Sequence, residues 1–304
     1  MDEILVTAII TTYKRDVSIV KRAIDSILAQ TYKNIEIIIV NDYPSKCNNN
    51  DRLAELIELY KNKKINIKYI LVSKNGGACK ARNIGLKNAS GKYVGFLDDD
   101  DEWLEDKVQT MVEAFNNKNI AIAYSNSLIY DEDNNTKSEF HHSIQPSGNI
   151  FNYLFKSNII GSTSFPMFNK DILLENGAFN EEMPAMQDLE TYMRVCRCND
   201  VLYINKPLTL YHIYEGERIT KNRDKRVKAY ELIYVEFKEY LSSNKLERYY
   251  YYRKGINVYS MNGNIIKAYL LHIKAILIKP LNIKNNLGDL IKIFVRIFYR
   301  KKID

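Results

Sequence analysis

Segments with the pattern of strands and segments with the pattern of helices alternate along the first hundred residues, and this alternation limits the possible folds more than any other feature. Four short apolar runs are predicted as strands: Ile4–Ile10, Ile35–Val40, Ile65–Val72 and Tyr93–Leu97. Between them apolar residues recur at helical spacing, which indicates strand–helix–strand units and a largely parallel sheet. The runs are almost continuously apolar, as expected when helices cover both faces of the sheet. The predicted fold class is therefore α/β, with a mostly parallel central sheet flanked by helices.

The bulk composition narrows the class of protein further. The chain has 304 residues, of which 46% are apolar, enough for one large domain or two modest ones. The N-terminus shows no signal segment, and no uncharged run reaches the roughly 18–20 residues that a membrane span needs. The four cysteines form no C-x-x-C pair, which argues against a zinc site or a disulfide framework. These observations predict a cytoplasmic protein.

Charge is distributed unevenly along the chain. Residues 216–304 contain 20 lysines and arginines against 8 acidic residues, a net charge of +12, whereas the rest carries 24 against 29, a net charge of −5. A basic region of this kind suits nucleic acid, a membrane surface or an acidic partner. Its aromatic residues recur at the helical spacing of a core, which argues against nucleic acid. The last helix is predicted either to lie on an anionic membrane leaflet or to dock on the core with a solvated lysine face.

Polar residues follow each of the four predicted strands. These stretches are Thr11–Tyr13, Asn41-Asp42, Ser73–Gly77 and Asp98–Asp101. In parallel sheets covered by helices, ligands bind at the carboxyl ends of the strands. The four stretches are therefore expected to converge on one ligand site.

The four consecutive aspartates are the most distinctive of these stretches. Asp98 and Asp100 are spaced to share a hard divalent ion, Mn²⁺ or Mg²⁺, which commonly takes one or two carboxylates together with substrate phosphates. The ion would offset the repulsion between the carboxylates. The alternative is a solvated acidic turn that caps the next helix.

Three other candidates each have a structural alternative. Asp188 is a possible general base toward a hydroxyl, or an acid at the start of a helix. Asp42 is a possible acceptor for a nucleobase N–H, or a turn residue before Pro44. Gly76 and Gly77 either allow the backbone to approach a phosphate or form a simple turn.

The same choice arises for three further side chains. Arg82 either faces a diphosphate or lies on a solvated helix surface. His212 is either a metal ligand or a packing residue. Trp103, the single tryptophan, either stacks on a sugar ring or seals the core.

Taken together, four segments resemble the family 2 glycosyltransferases of bacteria, which have the Rossmann-like, nucleotide-sugar-binding GT-A fold. The segments are VTAIITTYKR, IIIVNDYPS, NGGACKARNIGLKNASGKYVGFLDDDD and GAFNEEMPAMQDLETYMRV. They follow the family's order between about Ile4 and Thr220. Lys14 and Asn41 depart from the family pattern, which usually has Asn and Asp at these positions.

The resemblance implies an inverting, metal-dependent enzyme that moves a sugar from a nucleotide-sugar to a hydroxyl. The donor implied is a UDP-sugar, and the acceptor is a glycan or lipid-linked molecule of cell-surface polysaccharide synthesis. Asp98 and Asp100 would hold Mn²⁺ or Mg²⁺, with Asp100 as the main ligand, and Asp188 would be the catalytic base. His212 is a further metal candidate, although the family commonly has its histidine where this chain has Tyr214.

The remaining implied roles concern the donor and the acceptor. The residues implied to bind the nucleotide are Thr11, Tyr13, Arg15, Asp42, Asn75, Gly76, Arg82, Asp98 and Asp99. Trp103 and Glu190 are expected on the acceptor side.

The implied domains are a GT-A domain at 1–215, divided into a nucleotide-sugar part at 1–103 and an acceptor part at 104–215, and a helical, basic extension at 216–304. The alternative function is a catalytically inactive nucleotide-sugar-binding or membrane-associated scaffold. The presence of Asp98, Asp100 and Asp188 argues against it. The sequence predicts no oligomeric state.

Overall fold

The computed structural model describes residues 3–44, 48–116, 120–140, 144–214 and 222–300. The described residues form two compact units: the first contains 3–150, 159–181 and 191–214, and the second contains 151–158, 182–190 and 222–300. The domain boundary expected between 215 and 216 lies outside the described residues, and the domain limits stay a prediction.

The first unit begins with the alternation expected from the sequence. Its strands are β1 (Val6–Thr12), β2 (Ile35–Asn41), β3 (Ile67–Leu71), β4 (Tyr93–Asp98), β5 (Glu102–Trp103), β6 (Ile122–Asp131), β7 (Thr136–Phe140), β8 (Met167–Asn169) and β9 (Val201–Ile213). The helices along the chain are α1 (Val17–Leu28), α2 (Asn48–Asn62), α3 (Ala78–Lys87), α4 (Lys107–Asn116), α5 (Phe151–Lys156), α6 (Lys170–Glu175), α7 (Gln187–Cys196), α8 (Arg223–Ser243), α9 (Lys245–Asn262), α10 (Ile265–Ile278) and α11 (Ile283–Arg300).

These strands form one mixed sheet in the order β3-β2-β1-β4-β8-β6-β9-β5, with β7 paired to β6. The strands β3, β2, β1 and β4 are parallel, as predicted. Beyond β4 the sheet is mixed, because β8 pairs antiparallel with both β4 and β6, while β6 and β9 are parallel. The α/β fold with a flanked central sheet is confirmed.

The core of the first unit lies between this sheet and its helices. Helix α1 begins at the cap residue Asp16, whose carboxylate accepts a hydrogen bond from the backbone N–H of Ser18. Its apolar residues Val20, Ile24 and Ile27 recur at three- and four-residue spacing and are buried in the core. The helix thereby covers one face of the sheet and fixes the loop that follows β1.

The second unit is helical and rich in stacked aromatic side chains. The rings of Tyr230 in α8 and Tyr251 in α9 stack at 4.5 Å, and those of Phe155 in α5 and Tyr240 in α8 stack at 5.5 Å. Gly255 is required where α9 meets α8, because a Cβ there would lie 2.3 Å from the Tyr230 hydroxyl oxygen. Within the described part of the chain, no helix combines the length and hydropathy that a membrane crossing needs.

Candidate active site

The carboxyl ends of the central parallel strands bring the predicted polar stretches to one edge of the sheet. Thr11 in β1 is in register with Val40 in β2 on one side and with Asp98 in β4 on the other. The backbone N–H of Asp42 donates to the carbonyl oxygen of Thr12, at 2.9 Å, just beyond the end of β2. Residues far apart in sequence therefore meet at this edge, as expected for a ligand site.

Asp98 is held by donors from two separate segments. Nη2 of Arg82 in α3 lies 2.8 Å from its Oδ1. The hydroxyls of Ser162 and Thr163 donate to its carboxylate at 3.2 and 3.3 Å, and its backbone N–H donates to Oγ of Ser164 at 3.1 Å. These bonds fix both the backbone and the carboxylate of Asp98.

Arg15 connects the next two aspartates. Its Nε donates to Asp99 at 3.0 Å, and its Nη2 donates to Asp100 at 2.9 Å. Its Nη1 donates to the Tyr214 hydroxyl at 2.7 Å, and that hydroxyl donates to Oδ2 of Asp100 at 2.8 Å. Burial raises the pKa of Asp99 to about 6, although the Arg15 charge acts in the opposite direction. The positive charge of the Arg15 guanidinium thus offsets the negative charges of the Asp99 and Asp100 carboxylates.

Asp101 has a different environment and a structural role. Its carboxylate is buried and accepts hydrogen bonds from Oγ of Ser164, at 2.5 Å, and from the backbone N–H of His212, at 3.2 Å. Burial, together with the charges of Asp98 and Asp100, raises its pKa well above the usual range. Ser164 accepts from Asp98 and donates to Asp101, so one hydroxyl ties both ends of the aspartate turn.

A fully buried lysine lies behind this turn. Nζ of Lys107 donates to the carbonyl oxygen of Phe165 at 2.7 Å and to Oγ1 of Thr209 at 3.0 Å. Burial lowers the pKa of Lys107 to about 7, and the charge of Asp101 opposes this shift.

Two tyrosines form a partly exposed aromatic surface near the ends of β1 and β2. The rings of Tyr13 and Tyr43 meet edge to face at 5.4 Å, and Tyr13 is 49% exposed. Nζ of Lys14 lies 5.4 and 5.1 Å from the two ring centroids. A planar base can stack on such a surface.

Asp42 organises the glycine turn that follows β3. Its carboxylate accepts hydrogen bonds from the backbone N–H groups of Gly76, at 2.9 Å, and Gly77, at 2.7 Å, and from Nδ2 of Asn75, at 3.0 Å. Gly77 has a φ of +83°, which favours glycine. The structure therefore brings three predicted nucleotide-binding residues, Asp42, Asn75 and Gly76, into one hydrogen-bonded group.

His212 lies between two glutamates. Its Nδ1 is 2.7 Å from Oε1 of Glu132, and its Nε2 is 2.8 Å from Oε1 of Glu102. Burial raises the pKa of Glu132, but hydrogen bonds from Arg22 and His212 outweigh it and leave that pKa below its usual value. The hydroxyl that reaches Asp100 belongs to Tyr214, two residues later, and the role of His212 as a metal ligand stays a prediction.

Trp103 seals the core and does not face an open site, which is the second of its two predicted roles. Its side chain belongs to the hydrophobic core cluster and is only 3% exposed. Its Nε1 donates to the carbonyl oxygen of Ser164 at 3.1 Å, and its ring lies against Gly95 of β4. The expectation that Trp103 stacks on a sugar is therefore corrected, because a ring covered in this way offers no face to an acceptor.

Asp188 lies at the start of α7, in the second unit. Its Oδ2 accepts a hydrogen bond from Nδ2 of Asn158 at 2.7 Å. Burial lowers the pKa of Lys254 to about 7, and the negative charge of Asp188 opposes this shift. Met186, two residues earlier, has a φ of +53°, a strained backbone conformation of a kind found at functional sites. Glu190, the other predicted acidic residue here, is only 1% exposed, so the expectation that it contacts the acceptor is corrected for the same reason as that for Trp103.

Comparison with known protein families decides the class of the chain. The family described as glycosyl transferase family 2 matches residues 7–177. The protein belongs to this family. It is a glycosyltransferase, as the sequence predicted.

Curated relatives agree with this assignment. An uncharacterized glycosyltransferase of Rickettsia felis is 29% identical over 214 residues, which cover 69% of this chain and 33% of that protein. The glycosyltransferase described here therefore spans about a third of the length of that relative. A GalNAc(5)-diNAcBac-PP-undecaprenol beta-1,3-glucosyltransferase of Campylobacter jejuni is 28% identical over 303 residues, covering 98% of this chain and 95% of the other.

Solved structures confirm the GT-A fold. The crystal structure of S. aureus TarS 1–349 matches with a TM-score of 0.64 at 16% identity, covering 98% of this chain and 92% of that one. The same protein in complex with UDP-GlcNAc matches with a TM-score of 0.60 at 20% identity, covering 77% and 66% of the two chains. At these identities the similarity concerns the fold.

The aspartate turn of this glycosyltransferase has part of the donor set of a divalent cation. The side chains of Asp98 and Asp100 are 32% and 21% exposed, so each carboxylate can be approached from solvent. Within the described ranges, no three histidine, cysteine, aspartate or glutamate side chains are grouped to hold a metal ion. Mg²⁺ commonly takes one or two carboxylates together with substrate phosphates. The two carboxylates therefore fit a cation that completes its coordination with a diphosphate.

The sequence did not single out Ser162, Thr163 and Ser164 in the first unit, nor Asn158 in the second unit. Ser162, Thr163 and Ser164 bind the aspartate turn, and Asn158 binds Asp188. The sequence feature that could have pointed to the first three is the run of hydroxyl residues Ser-Thr-Ser shortly before the apolar residues of β8.

Proposed function

We propose that this glycosyltransferase transfers a sugar from a UDP-sugar to a hydroxyl of a glycan or lipid-linked acceptor, with inversion and with Mn²⁺ or Mg²⁺ as cofactor. The observation that carries the proposal is the convergence of Thr11, Asp42 and Asp98 at one edge of the parallel sheet, beside the guanidinium groups of Arg82 and Arg15. Phosphates prefer such planar donors.

The nucleotide would occupy the side of the site near β1 and β2. Tyr13, together with Tyr43, offers an aromatic surface for the base, and Thr11 and the Asp42 turn with Asn75 and Gly76 offer polar contacts. Support for a UDP-sugar comes from the TarS complex with UDP-GlcNAc, which shares the fold. We assign nucleotide binding to residues 1–103, the acceptor side to 104–215 and a separate helical role to 216–304.

The diphosphate would lie against the aspartate turn. Asp98 and Asp100 would hold the divalent cation, which would supply charge stabilisation to the departing diphosphate. Arg15 and Arg82 already bond these carboxylates and would remain within reach of the phosphates. Asp99 would be held beside the nucleotide by Arg15.

The acceptor hydroxyl would lose its proton to Asp188, and its oxygen would attack the anomeric carbon from the side opposite the diphosphate. The assignment of Asp188 as the base rests on the sequence resemblance. The hydrogen bond from Asn158 would keep the Asp188 carboxylate in one orientation.

The setting we propose is glycan assembly at the cell envelope. The Campylobacter jejuni relative is named for a beta-1,3-glucosyltransferase whose acceptor is attached to undecaprenol through PP. With a lipid-linked acceptor the enzyme would act in the cytoplasm, at the inner face of the membrane.

The experiment that tests the chemistry compares Asp188→Asn with Asp171→Asn, an exposed acid in the first turn of α6. Donor binding is measured by calorimetry and sugar transfer by product mass, each with Mn²⁺. Asp188→Asn is expected to keep donor binding and to lose transfer by at least a hundredfold, since general base catalysis contributes about 10²–10⁴-fold. Transfer that survives in Asp188→Asn would assign the base to another residue, and an inactive wild type would support the scaffold alternative.

A further inference from the structure

Helix α10 has five large apolar side chains on the outside. The buried residues of this helix are small or polar: Ala268, His272 and Ala275. The exposed apolar residues are Ile266, Tyr269, Leu270, Ile273 and Leu277. They recur at three- and four-residue spacing and so form one stripe along the helix, on the side opposite the buried residues. A surface helix of a globular protein normally has the reverse arrangement.

Helix α11 and the turn before it continue this pattern. Asp289 and Ile293 are buried, whereas the exposed apolar residues are Leu281, Ile283, Leu287, Ile291, Phe294 and Val295. These exposed apolar residues thus face outward and not into a core. The eleven exposed residues of α10, α11 and the turn between them are here called the outer apolar face. An exposed apolar set of this size marks a binding surface.

Positive charge accompanies the outer apolar face. Lys267, Lys274, Lys284 and Lys292 are exposed on the same two helices. The sole acidic residue in the sequence from 265 to 295 is Asp289, which is buried and pairs with Arg253 and, at 3.4 Å, with Lys292. Of the facing groups on neighbouring helices, Glu231 in α8 pairs with Lys267.

We propose that the outer apolar face docks on an anionic bilayer, with its leucine and isoleucine side chains in the interface and its lysines against acidic headgroups. Charge complementarity favours this occupant, since lysines near an anionic leaflet are attracted to its acidic headgroups. A second copy would bring the same lysines together without exposed carboxylates on α10 or α11 to pair with them. The inference does not depend on the sugar-transfer activity.

The experiment is vesicle flotation with the full chain. The probes are vesicles of phosphatidylcholine alone and vesicles with about a third of anionic phosphatidylglycerol. The variant is the double substitution Leu270→Ser with Leu277→Ser, at positions 52% and 77% exposed. The matched control is Val235→Ser in α8, which is 62% exposed and outside the face. Melting temperature checks that each protein is folded, and sedimentation equilibrium reports its oligomeric state.

Wild type and Val235→Ser are expected to float with the anionic vesicles and not with the neutral ones. The double variant is expected to bind the anionic vesicles at least about tenfold more weakly, because each leucine-to-serine substitution removes apolar surface that would be buried in the interface. Equal binding to both vesicle types, or equal binding by the double variant, would overturn the proposal. A wild-type dimer that the double variant dissociates, without vesicle binding, would assign the face to a second copy of the chain.

Discussion

The hydroxyl of Tyr214 donates a hydrogen bond of 2.8 Å to Oδ2 of Asp100, the aspartate proposed as the main metal ligand. Hydrogen bonds to charged groups contribute about 1.5–3 kcal/mol, so Tyr214→Phe is expected to lower kcat/KM by about tenfold or more and to raise the Mn²⁺ concentration for half-maximal rate. Tyr130→Phe is the control, because the Tyr130 hydroxyl donates to Asn135 on an exposed hairpin. Unchanged kinetics in Tyr214→Phe would show that the Tyr214 hydroxyl does not contribute to metal binding or to turnover.

Arg15 compensates the charges of Asp99 and Asp100 through two ion pairs. Arg15→Gln is expected to lower stability in EDTA by about 1–3 kcal/mol, because it leaves the carboxylates without a charged partner. Mn²⁺ should restore part of this loss, since the ion would oppose the same repulsion. Urea unfolding with EDTA and with Mn²⁺ measures both effects, and Lys21→Gln, which breaks an exposed pair with Asp25, should cost less than about 0.5 kcal/mol. A loss that is identical with and without Mn²⁺ would contradict the shared site.

The sequence contained most of the information about the first four strands and the polar residues at their ends. Apolar runs of strand length, separated by helical spacing, are enough to predict β1, β2, β3 and β4. The rule that ligands bind at carboxyl ends then selects Thr11, Asp42 and Asp98 without further knowledge of the fold.

Contacts that depend on the mixed half of the sheet were not predictable in this way. Ser162–Ser164 reach Asp98 because the three-residue strand β8 pairs antiparallel with β4, and so short a strand has no clear periodicity. Trp103 lies in a two-residue strand, so the alternation of side chains cannot tell whether it faces the core or solvent. Tyr214 reaches Asp100 from the residue after β9, more than a hundred positions away.

Buried Lys107 should make stability depend on pH. Its pKa is about 7 in the folded protein and near its ordinary value of 10.5 when unfolded, so between these values the unfolded chain binds more protons. The free energy of unfolding therefore rises with pH above 7, by at most about 1.4 kcal/mol per pH unit from this group. The same contribution is lost as the pH falls toward 7. Lys107→Met should remove this slope between pH 7 and 9 in urea unfolding, while Lys61→Met, on an exposed helix surface, should keep it. Parallel curves for wild type and Lys107→Met would contradict the assignment.

Gly95 in β4 allows the Trp103 ring to pack against the sheet. A Cβ at this position would lie 2.7 Å from the ring, so Gly95→Ala is expected to destabilise the protein by about 1–3 kcal/mol. Gly288→Ala in α11 is the matched control, since a Cβ there meets no atom within 4 Å and alanine favours a helix by up to about 1 kcal/mol. Urea unfolding midpoints compare the two, and equal stability of Gly95→Ala and wild type would show that the ring can move away.

Turnover of a panel of nucleotide-sugars tests whether the aspartate turn carries metal-dependent sugar transfer. Each donor is assayed with Mn²⁺, with Mg²⁺ and with EDTA, using wild type and Asp100→Asn. We expect at least one UDP-sugar to be turned over with a divalent ion and EDTA to abolish turnover. Asp100→Asn is expected to lose at least about a hundredfold in rate, as enzymes do on loss of one charge-stabilising group. Turnover that is equal in EDTA and in Mn²⁺, or that Asp100→Asn leaves unchanged, would contradict metal-dependent transfer at this turn.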